Sequence, residues 1–451
     1  MGLSEASGAP LPRFVKDEFD AYLQCGILAH GFIRLTCETC EHETLIAFSC
    51  KKRGICPSCG TRRMNEAAAA LAEDIIPRVR VRQWVLSFPI PLRSLLAIHP
   101  ELITPVLAVV QRVTHGHLIQ QTGAKRENAA SGAVTLIQRF GSAANLNIHL
   151  HGLWLDGVYE SDGEELTFHE APAPTKAQLD TLLNKIIRRL IKHLTHAGHL
   201  IEEQGEVYVA NTDTHNPLAP LQAASATWRI AHGPRAGQKV VRITDGQPYQ
   251  PQPAHDKLCA NAHGFSLHAG VAIAANDRQG LEQLCRYITR PALSNERLSI
   301  NGKGQIVLKL KSRWKDGTSH IVMEPMEFMQ RLAALVPRPR LHLTRFHGVL
   351  APHAKLRSKV VPGAKPKPAQ ADTPEEEHPC AHGARMRWAQ MLKRVFDIDM
   401  ERCQCGGKLK FIAVIEQPDV IEKILKHLGL DPQPPPISPA RREEGELFEA
   451  A

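Results

Sequence analysis

Residues 147–155 read Asn-Ile-His-Leu-His-Gly-Leu-Trp-Leu, and this stretch predicts the strand around which the fold is built. Side chains two apart on a strand share a face, so His149 and His151 should point the same way while Leu150 anchors the strand from the other face. Two imidazoles on one face can bind a divalent ion and leave positions open for phosphate oxygens. A lone His-x-His pair is nevertheless a weak signal by itself.

A second pair with the same spacing serves as an internal control. His115 and His117 lie in residues 100–121, where the apolar pattern predicts a helix. Two residues two apart on a helix diverge by about 200°, so these rings should not share an ion. The pair at 149 and 151 is therefore the better candidate for a metal site.

The surrounding sequence predicts a mixed α and β domain. Residues 217–253 are expected to form an irregular insertion. Strand-like patterns cover residues 79–89, 134–140, 147–155 and 265–272, and helix-like patterns cover residues 100–121, 175–200 and 277–290.

Length and charge limit the class of protein. A chain of 451 residues exceeds what one hydrophobic core usually supports, so two or three domains are expected. The 55 basic against 46 acidic residues, with a pI near 9.0, favour a polyanionic partner. We find no signal peptide and no apolar stretch long enough for a membrane span, which predicts a cytoplasmic protein whose cysteines are metal ligands or buried thiols.

Cysteines near the amino end predict a structural zinc site. Cys37-Glu-Thr-Cys40 and Cys56-Pro-Ser-Cys59 are two knuckles whose separation allows four thiolates to meet on one Zn²⁺ ion. All four positions of such a site are filled, so its metal would be structural rather than catalytic. Cys50 lies between the knuckles and could replace one of the four.

Other residues in the same region are candidates for metal binding or for contacts with phosphate. Cys25, His30 and His42 could serve a second metal site. Basic side chains on or beside the knuckles are candidates for phosphate contacts, with ordinary surface charge as the alternative. These are Lys51, Lys52, Arg53, Arg62 and Arg63.

Tyr287 lies on the predicted helix at 277–290. It falls off the apolar stripe of that helix and shares the other side with Gln283 and Arg290, so its ring need not fill the core. A phenol can act as a covalent nucleophile on a phosphate when a nearby divalent metal helps, and Arg290 could then stabilise the transition state. Gln283 or His268 could supply a third metal ligand.

Composition divides the chain into five segments. We expect a zinc-binding domain at 1–76, a catalytic domain at 77–352, a proline-rich linker at 353–380, a small module at 381–430 and a disordered tail at 431–451. Cys403 and Cys405 in the small module are half a zinc site, completed by Cys380 or His382, or simply a pair of thiols.

Taken in order, the motifs resemble one family, the rolling-circle insertion-sequence transposases of the HUH endonuclease superfamily with an amino-terminal zinc-binding region. The likeness covers residues from about 15 to 430. The motifs that carry it are Cys37-Glu-Thr-Cys40, Phe48-Ser-Cys50-Lys-Lys-Arg53, Cys56-Pro-Ser-Cys59, Leu146-Asn-Ile-His149-Leu-His151, Gly264-Phe-Ser-Leu-His268, Arg286-Tyr287-Ile-Thr-Arg290-Pro291 and Phe346-His-Gly-Val349.

This resemblance implies an α+β fold, a ferredoxin-like antiparallel sheet with flanking helices. It implies a transposase that nicks and rejoins single-stranded DNA at element ends through a 5′-phosphotyrosine on Tyr287. The histidine pair would hold Mg²⁺ or Mn²⁺, and zinc would be structural. Founding members have two catalytic tyrosines one helical turn apart, but Pro291 stands four residues after Tyr287. A one-tyrosine mechanism, or a cycle shared by a homodimer, is therefore expected, in a cytoplasmic protein associated with the nucleoid.

Two other functions remain open at this stage. The chain could be a zinc-dependent DNA-binding protein without chemistry, in which the knuckles and basic residues account for all activity. It could also be a metal-dependent hydrolase that uses water on a His-bound ion, and replacement of Tyr287 would then leave cleavage intact.

Overall fold

A computed structural model of the chain describes residues 10–163, 165–210, 216–244, 258–364, 393 and 397–434. The expected linker beyond residue 364 and the expected tail beyond residue 434 lie outside the described residues. So do residues 245–253 of the expected insertion.

The strands are numbered here in chain order. They are β1 Phe32–Cys37, β2 Glu43–Ala47, β3 Val81–Ser87, β4 Ala129–Ala130, β5 Gly132–Phe140, β6 Leu146–Leu155, β7 Gly157–Asp162, β8 Glu165–Glu170, β9 Leu200–Glu203, β10 Glu206–Val209, β11 Val241–Thr244, β12 Cys259–Ala262, β13 Phe265–Ile273, β14 Leu298–Ile300, β15 Ile306–Lys309, β16 Thr318–Met323, β17 Thr344–Gly348 and β18 Leu409–Ile415.

The α-helices are numbered in the same way. They are α1 Arg13–Leu23, α2 Pro57–Ala69, α3 Ile90–Ile98, α4 Ile103–Thr122, α5 Lys176–His196, α6 Ala219–Ala226, α7 Arg278–Thr289, α8 Pro325–Leu335, α9 Arg357–Val360 and α10 Pro418–His427. Helix α2 continues into a π-helical segment, Ala70–Ile75, and 3₁₀ turns occur at Leu28–His30, Pro100–Leu102 and Asn295–Arg297.

The central element is a six-stranded sheet in the order β12-β13-β3-β6-β5-β17, with antiparallel pairing throughout. The expected α+β class with an antiparallel sheet is confirmed. Strand β6 lies inside the sheet between β3 and β5, and its second half is fully buried. A rigid, doubly hydrogen-bonded strand therefore carries the histidine pair.

Both faces of this sheet are covered around its inner strands, so β5 and β6 are buried along most of their length. On one face Trp84, Leu86 and Leu150 pack in a core shared with α3, α4 and α5. On the other face Leu136 and Leu153 join a core formed by α7 and the segment after α2. A fully buried side chain of this size contributes roughly 1.5–3 kcal/mol. His149 and His151 lie on the second face, under α7.

The carboxy-terminal segment is part of the amino-terminal domain. Strand β18 pairs with β1 from Phe32↔Ile415 to Cys37↔Leu409, and β2 pairs with the other edge of β1. Helix α10 packs Ile421 against Phe32 in the same small core. The sequence division into a domain at 1–76 and a separate module at 381–430 is therefore wrong, because β1 has two edges to pair and the distant β18 occupies one.

The segment predicted as an irregular insertion at 217–253 also contains regular structure. Helix α6 lies in it, and β11 pairs with β16 in a four-stranded sheet of order β11-β16-β15-β14. In the part of the chain that is described, no single helix is long and apolar enough to cross a membrane. Among the described helices, α3 and α4 are long and apolar enough only when taken together as a bent pair. Both of these helices bury side chains in the core.

Candidate catalytic site and zinc clusters

The histidine pair has the geometry that the strand pattern predicts. The ring centroids of His149 and His151 are 4.8 Å apart on one face of β6. Ser87 and Gln138 flank His149 on the neighbouring strands β3 and β5. The two imidazole rings thus lie in edge-to-face contact inside the sheet.

Hydrogen bonds determine which ring nitrogen of each histidine has a lone pair that could bind a cation. The Nδ1 of His149 donates to the Asn147 carbonyl oxygen at 2.9 Å, which leaves the lone pair on its Nε2. The Nδ1 of His151 lies 2.9 Å from Nε2 of the Gln83 amide, and the buried Nε2 of His151 has no hydrogen-bond partner among the described residues. In this orientation the amide N–H donates to Nδ1. When the amide is turned so that its oxygen accepts from Nδ1–H, the orphaned Nε2 of His151 carries a lone pair for a cation.

Both rings are neutral at physiological pH. Burial lowers the pKa of His149 to about 4; the bond to Asn147 opposes this shift, and the charges of Arg290 and Arg93 add to it. Burial lowers the pKa of His151 to about 3, with further contributions from His149 and Arg290. Neutral imidazole is the form that binds metal ions, so the pair fits a divalent cation.

Tyr287 lies on α7 with 45% of its surface exposed. The guanidinium of Arg290 lies over its ring at 4.5 Å from the centroid, and the Lys311 ammonium lies at 4.1 Å. Arg290 also donates from Nη1 to the Tyr287 carbonyl oxygen at 2.7 Å. Because the charge of Arg290 reaches both histidines as well, it connects the tyrosine electrostatically to the pair.

Helix α7 is fixed from two sides. From the sheet, Gln138 donates to the Ile288 carbonyl oxygen at 3.1 Å, and Gln138 is the residue opposite His149 in the ladder. From the zinc-binding domain, the Met64 carbonyl oxygen accepts from Thr289 at 3.4 Å, and the Ile76 carbonyl oxygen accepts from Arg278 at 2.8 Å. The tyrosine helix therefore lies between the histidine face of the sheet and α2.

Pro291 lies beyond the end of this helix, which stops at Thr289. It packs so closely on α2 that a Cβ at Gly60 would come within 2.7 Å of its Cβ. The position four after Tyr287 is thus off the helix and against the zinc-binding domain.

The cysteines form two clusters instead of the single predicted one. The single site of Cys37, Cys40, Cys56 and Cys59 is wrong in its grouping, because each knuckle joins a different pair of partners. Cluster A contains Cys25, Cys50, Cys56 and Cys59, and cluster B contains Cys37, Cys40, Cys403 and Cys405.

Both clusters have the dimensions of a zinc site. Sulfur separations are 3.5–3.7 Å in cluster A, for example 3.6 Å between Cys25 and Cys56. In cluster B, Cys37 and Cys405 are 3.5 Å apart, and Cys40 and Cys403 are 3.7 Å apart. A tetrahedral site with Zn–S bonds of about 2.3 Å has sulfur edges of about 3.8 Å. Both donor sets fit structural Zn²⁺.

Local structure explains the grouping. Cys37 ends β1, and the turn after it reaches Cys40 beside the Cys403–Cys405 turn that precedes β18. Cys56 caps α2 by accepting from the Cys59 backbone N–H, which turns both thiols toward Cys25 and Cys50. His30 and His42 belong to neither cluster. The other expected partners, Cys380 and His382, lie outside the described residues.

The remaining histidines of interest lie elsewhere. His115 bonds Ser131 through Nδ1 at 2.8 Å, and His117 packs edge-on against Trp84, so the two rings diverge on α4. His268 lies opposite Val85, two strands from β6. Among the described residues, no third histidine, cysteine or carboxylate comes close enough to share an ion with His149 and His151.

Two residues near the site were missed from the sequence. Gln83 touches His151 from β3, and Lys311 reaches Tyr287 from the loop between β15 and β16. The signal that could have identified Gln83 was its polar side chain within a strand that also contains buried apolar residues. Nothing in the local pattern marks Lys311.

Two models of known protein families match most of the chain. Residues 132–358, half of the chain, match the family model described as "Putative transposase", and residues 4–88 match the model described as "Transposase zinc-binding domain". Searches of curated proteins and of solved structures give no match. The first match includes the histidine pair and Tyr287, and the second includes all of cluster A. The chain therefore belongs to this family of transposases, DNA-processing enzymes, and carries the zinc-binding domain at its amino end.

Proposed function

We propose that this transposase nicks and rejoins single-stranded DNA at the ends of its element through a 5′-phosphotyrosine on Tyr287, driving rolling-circle-type transposition in association with the nucleoid. The observation that carries the proposal is the packing of the Tyr287 helix on the sheet face that holds His149 and His151, with Arg290 beside both. The region at 77–352 would then be a catalytic domain of the ferredoxin-like HUH type.

A divalent ion, Mg²⁺ or Mn²⁺, would be held by His149 and His151. The neutral rings and the orphaned Nε2 of His151 support this assignment. Such an ion, when bound, withdraws charge from the scissile phosphate.

The chain's own residues account for the covalent step. The Tyr287 phenol loses its proton and its oxygen attacks the phosphorus; the bond to the 3′ oxygen breaks, and that oxygen takes up a proton. Arg290 and Lys311 lie where they stabilise the negative charge that develops on the phosphate. Because one phosphodiester replaces another, attack by a 3′-hydroxyl can rejoin the strand without a nucleotide cofactor.

The position of Pro291 supports one nucleophile per chain. A complete cycle would use Tyr287 twice or would be shared between the two subunits of a homodimer. The packing of Pro291 on Gly60 supports a one-tyrosine mechanism, because a second tyrosine there would not lie on α7.

The test is to incubate the protein with labelled single-stranded DNA from its element end and Mn²⁺, and to look for a protein–DNA adduct on denaturing gels. Wild type should form the adduct, and Tyr287→Phe should not. Tyr208→Phe is the matched control, because Tyr208 is also about half exposed but lies on β10. It should form the adduct at the wild-type level.

Two results would replace the proposal with another function. Cleavage that persists in Tyr287→Phe would indicate hydrolysis by water. Binding without cleavage, unchanged in His149→Gln and in the exposed control His196→Gln, would indicate a DNA-binding protein without chemistry.

A further inference from the structure

A cleft of about 300 Å³ opens between the zinc-binding domain and the central sheet. Arg53 and Arg63 line it from the zinc-binding domain, and Phe140 at the end of β5 lines it from the sheet. Arg290 and the residues that follow the tyrosine helix close its third side. The cleft therefore begins beside Tyr287 and ends at the zinc-binding domain.

Three guanidinium groups at the cleft, those of Arg53, Arg63 and Arg290, form no salt bridge in the described part of the chain. Each is instead oriented by a single carbonyl oxygen: that of Leu341 for Arg53 at 3.0 Å, that of Lys51 for Arg63 at 2.8 Å and that of Tyr287 for Arg290 at 2.7 Å. A carboxylate beside the cleft, that of Glu18, accepts from the backbone N–H groups of Arg53 and Gly54 at 3.3 and 3.1 Å.

These positive charges are close enough to repel one another. Burial lowers the pKa of Arg53 and the nearby charge of Arg63 lowers it further, while the charge of Glu18 opposes both effects. At the other end, burial and then the charge of Arg290 lower the pKa of Arg297. Like charges that repel one another destabilise the folded chain, and a bound anion relieves that repulsion.

The cleft also offers surfaces for a base. Phe140 and His342 both line it, and the Arg290 guanidinium lies 5.7 Å from the centre of the Phe140 ring. Flat rings and guanidinium planes are the surfaces on which unpaired bases stack in proteins that bind single strands. A volume of about 300 Å³ is at the lower end for ligand cavities, which suits one nucleotide and not a duplex.

We infer that this cleft binds one unstacked nucleotide of the DNA strand adjacent to the phosphate attacked by Tyr287, with the nucleotide's own phosphate between Arg53 and Arg63. The choice of a single strand rests on the proposed function. The zinc-binding domain is then one wall of the substrate path, and not a separate DNA-binding head.

Binding is measured by fluorescence anisotropy with the full-length Tyr287→Phe protein and a labelled ten-residue oligothymidylate, over a range of salt concentrations. Because the assay measures binding and not cleavage, a failed nicking assay does not affect the result. We expect Arg53→Ala/Arg63→Ala to weaken binding roughly ten-fold or more. The slope of log K against log salt should fall by about 0.7, since the variant loses one phosphate contact and each single-strand phosphate contact contributes about 0.7.

The matched control is Arg188→Ala/Arg189→Ala, which removes the same charge from the exposed side of α5 on the other face of the sheet. It should keep the original affinity and slope. Equal losses in both double variants, or equal binding of a duplex of the same length, would overturn the inference. Arg63→Glu is a second variant, since Arg63 is exposed and its loss leaves the Arg53–Leu341 bond in place.

A photocrosslink gives a readout that does not depend on any arginine variant. An oligonucleotide with 5-iodouracil next to the nicking position should crosslink to peptides that contain Phe140 or His342. Crosslinks found only outside the residues of the cleft would place the strand elsewhere and contradict the inference.

Discussion

Gln83 is the side chain that would fix which nitrogen of His151 carries the proton if the proposed cation binds. Its side chain is buried on β3 and touches His151 Nδ1, so it is a positioning residue for the ring. Replacement by methionine keeps the length but removes the amide, and the ring is then free to place its proton on Nε2. Loss of such an outer partner typically costs 10–100-fold in metal affinity. We expect Gln83→Met to raise the dissociation constant for Mn²⁺ by about that factor, as measured from the EPR signal of the free ion.

Gln111→Met is the control for this change, because Gln111 bonds Thr135 from α4 on the opposite face of the sheet. It should bind Mn²⁺ as wild type does. An unchanged constant in Gln83→Met would show that the His151 ring is oriented without Gln83. Measuring binding directly keeps this prediction independent of the nicking reaction.

The residues of the candidate site differ in how well the sequence predicts their positions. Side chains two apart on a strand share a face by local geometry alone, so the convergence of His149 and His151 followed from nine residues. The contact with Gln83 depends on the register between β3 and β6, which are separated by a helical region. No local pattern encodes that register.

At the scale of single elements, the position of helix α7 depends on its contacts with neighbouring elements. Gly60 on α2 lets Pro291 approach, and a methyl group there would come within 2.7 Å of the proline ring. Gly60→Ala should therefore push the end of α7 away from the sheet. A displacement of about 1 Å at a reacting group can cost about 10²-fold in rate. The alanine also gains roughly 1 kcal/mol of helix propensity, which offsets part of the strain.

The expected outcome of Gly60→Ala is thus a large fall in the rate of adduct formation with a small change in the midpoint of thermal unfolding. Gly116→Ala on α4 is the matched substitution, because no atom lies within 4 Å of its added methyl group. It should leave the rate unchanged and stabilise the fold. Wild-type adduct formation by Gly60→Ala would mean that the contact with Pro291 does not position Tyr287.

Elements whose pattern is local were predicted well. The helix expected at 100–121 is α4 at Ile103–Thr122, and the strand expected at 147–155 is contained in β6. The predicted grouping of the cysteines was wrong because it depends on contacts between distant parts of the chain. Two Cys-x-x-Cys turns close in sequence satisfy the spacing rule for one zinc site, but that spacing does not show which distant turn faces each knuckle. Here the pairing of β1 with β18 decides it.

At the scale of the whole molecule, cluster B connects the two ends of the described chain. Cys37 and Cys405 are 368 positions apart, so a zinc ion there closes almost the entire sequence into a loop. The match to the zinc-binding family model ends at residue 88 and so contains only half of this cluster. Structural zinc contributes roughly 10–16 kcal/mol of apparent binding free energy in small domains. Cluster B would accordingly hold β18 and α10 on the amino-terminal sheet.

We expect the purified protein to contain two zinc ions per chain by elemental analysis. Cys403→Ser/Cys405→Ser should retain one ion, in cluster A, and limited proteolysis should then release the segment that carries β18 and α10. Cys259→Ala is the control, since Cys259 lies on β12 outside both clusters, and it should keep two ions. One ion in the wild type, or two in the double variant, would contradict the assignment of cluster B. A protected carboxy-terminal segment in a one-zinc double variant would instead show that the β1–β18 pairing holds without metal.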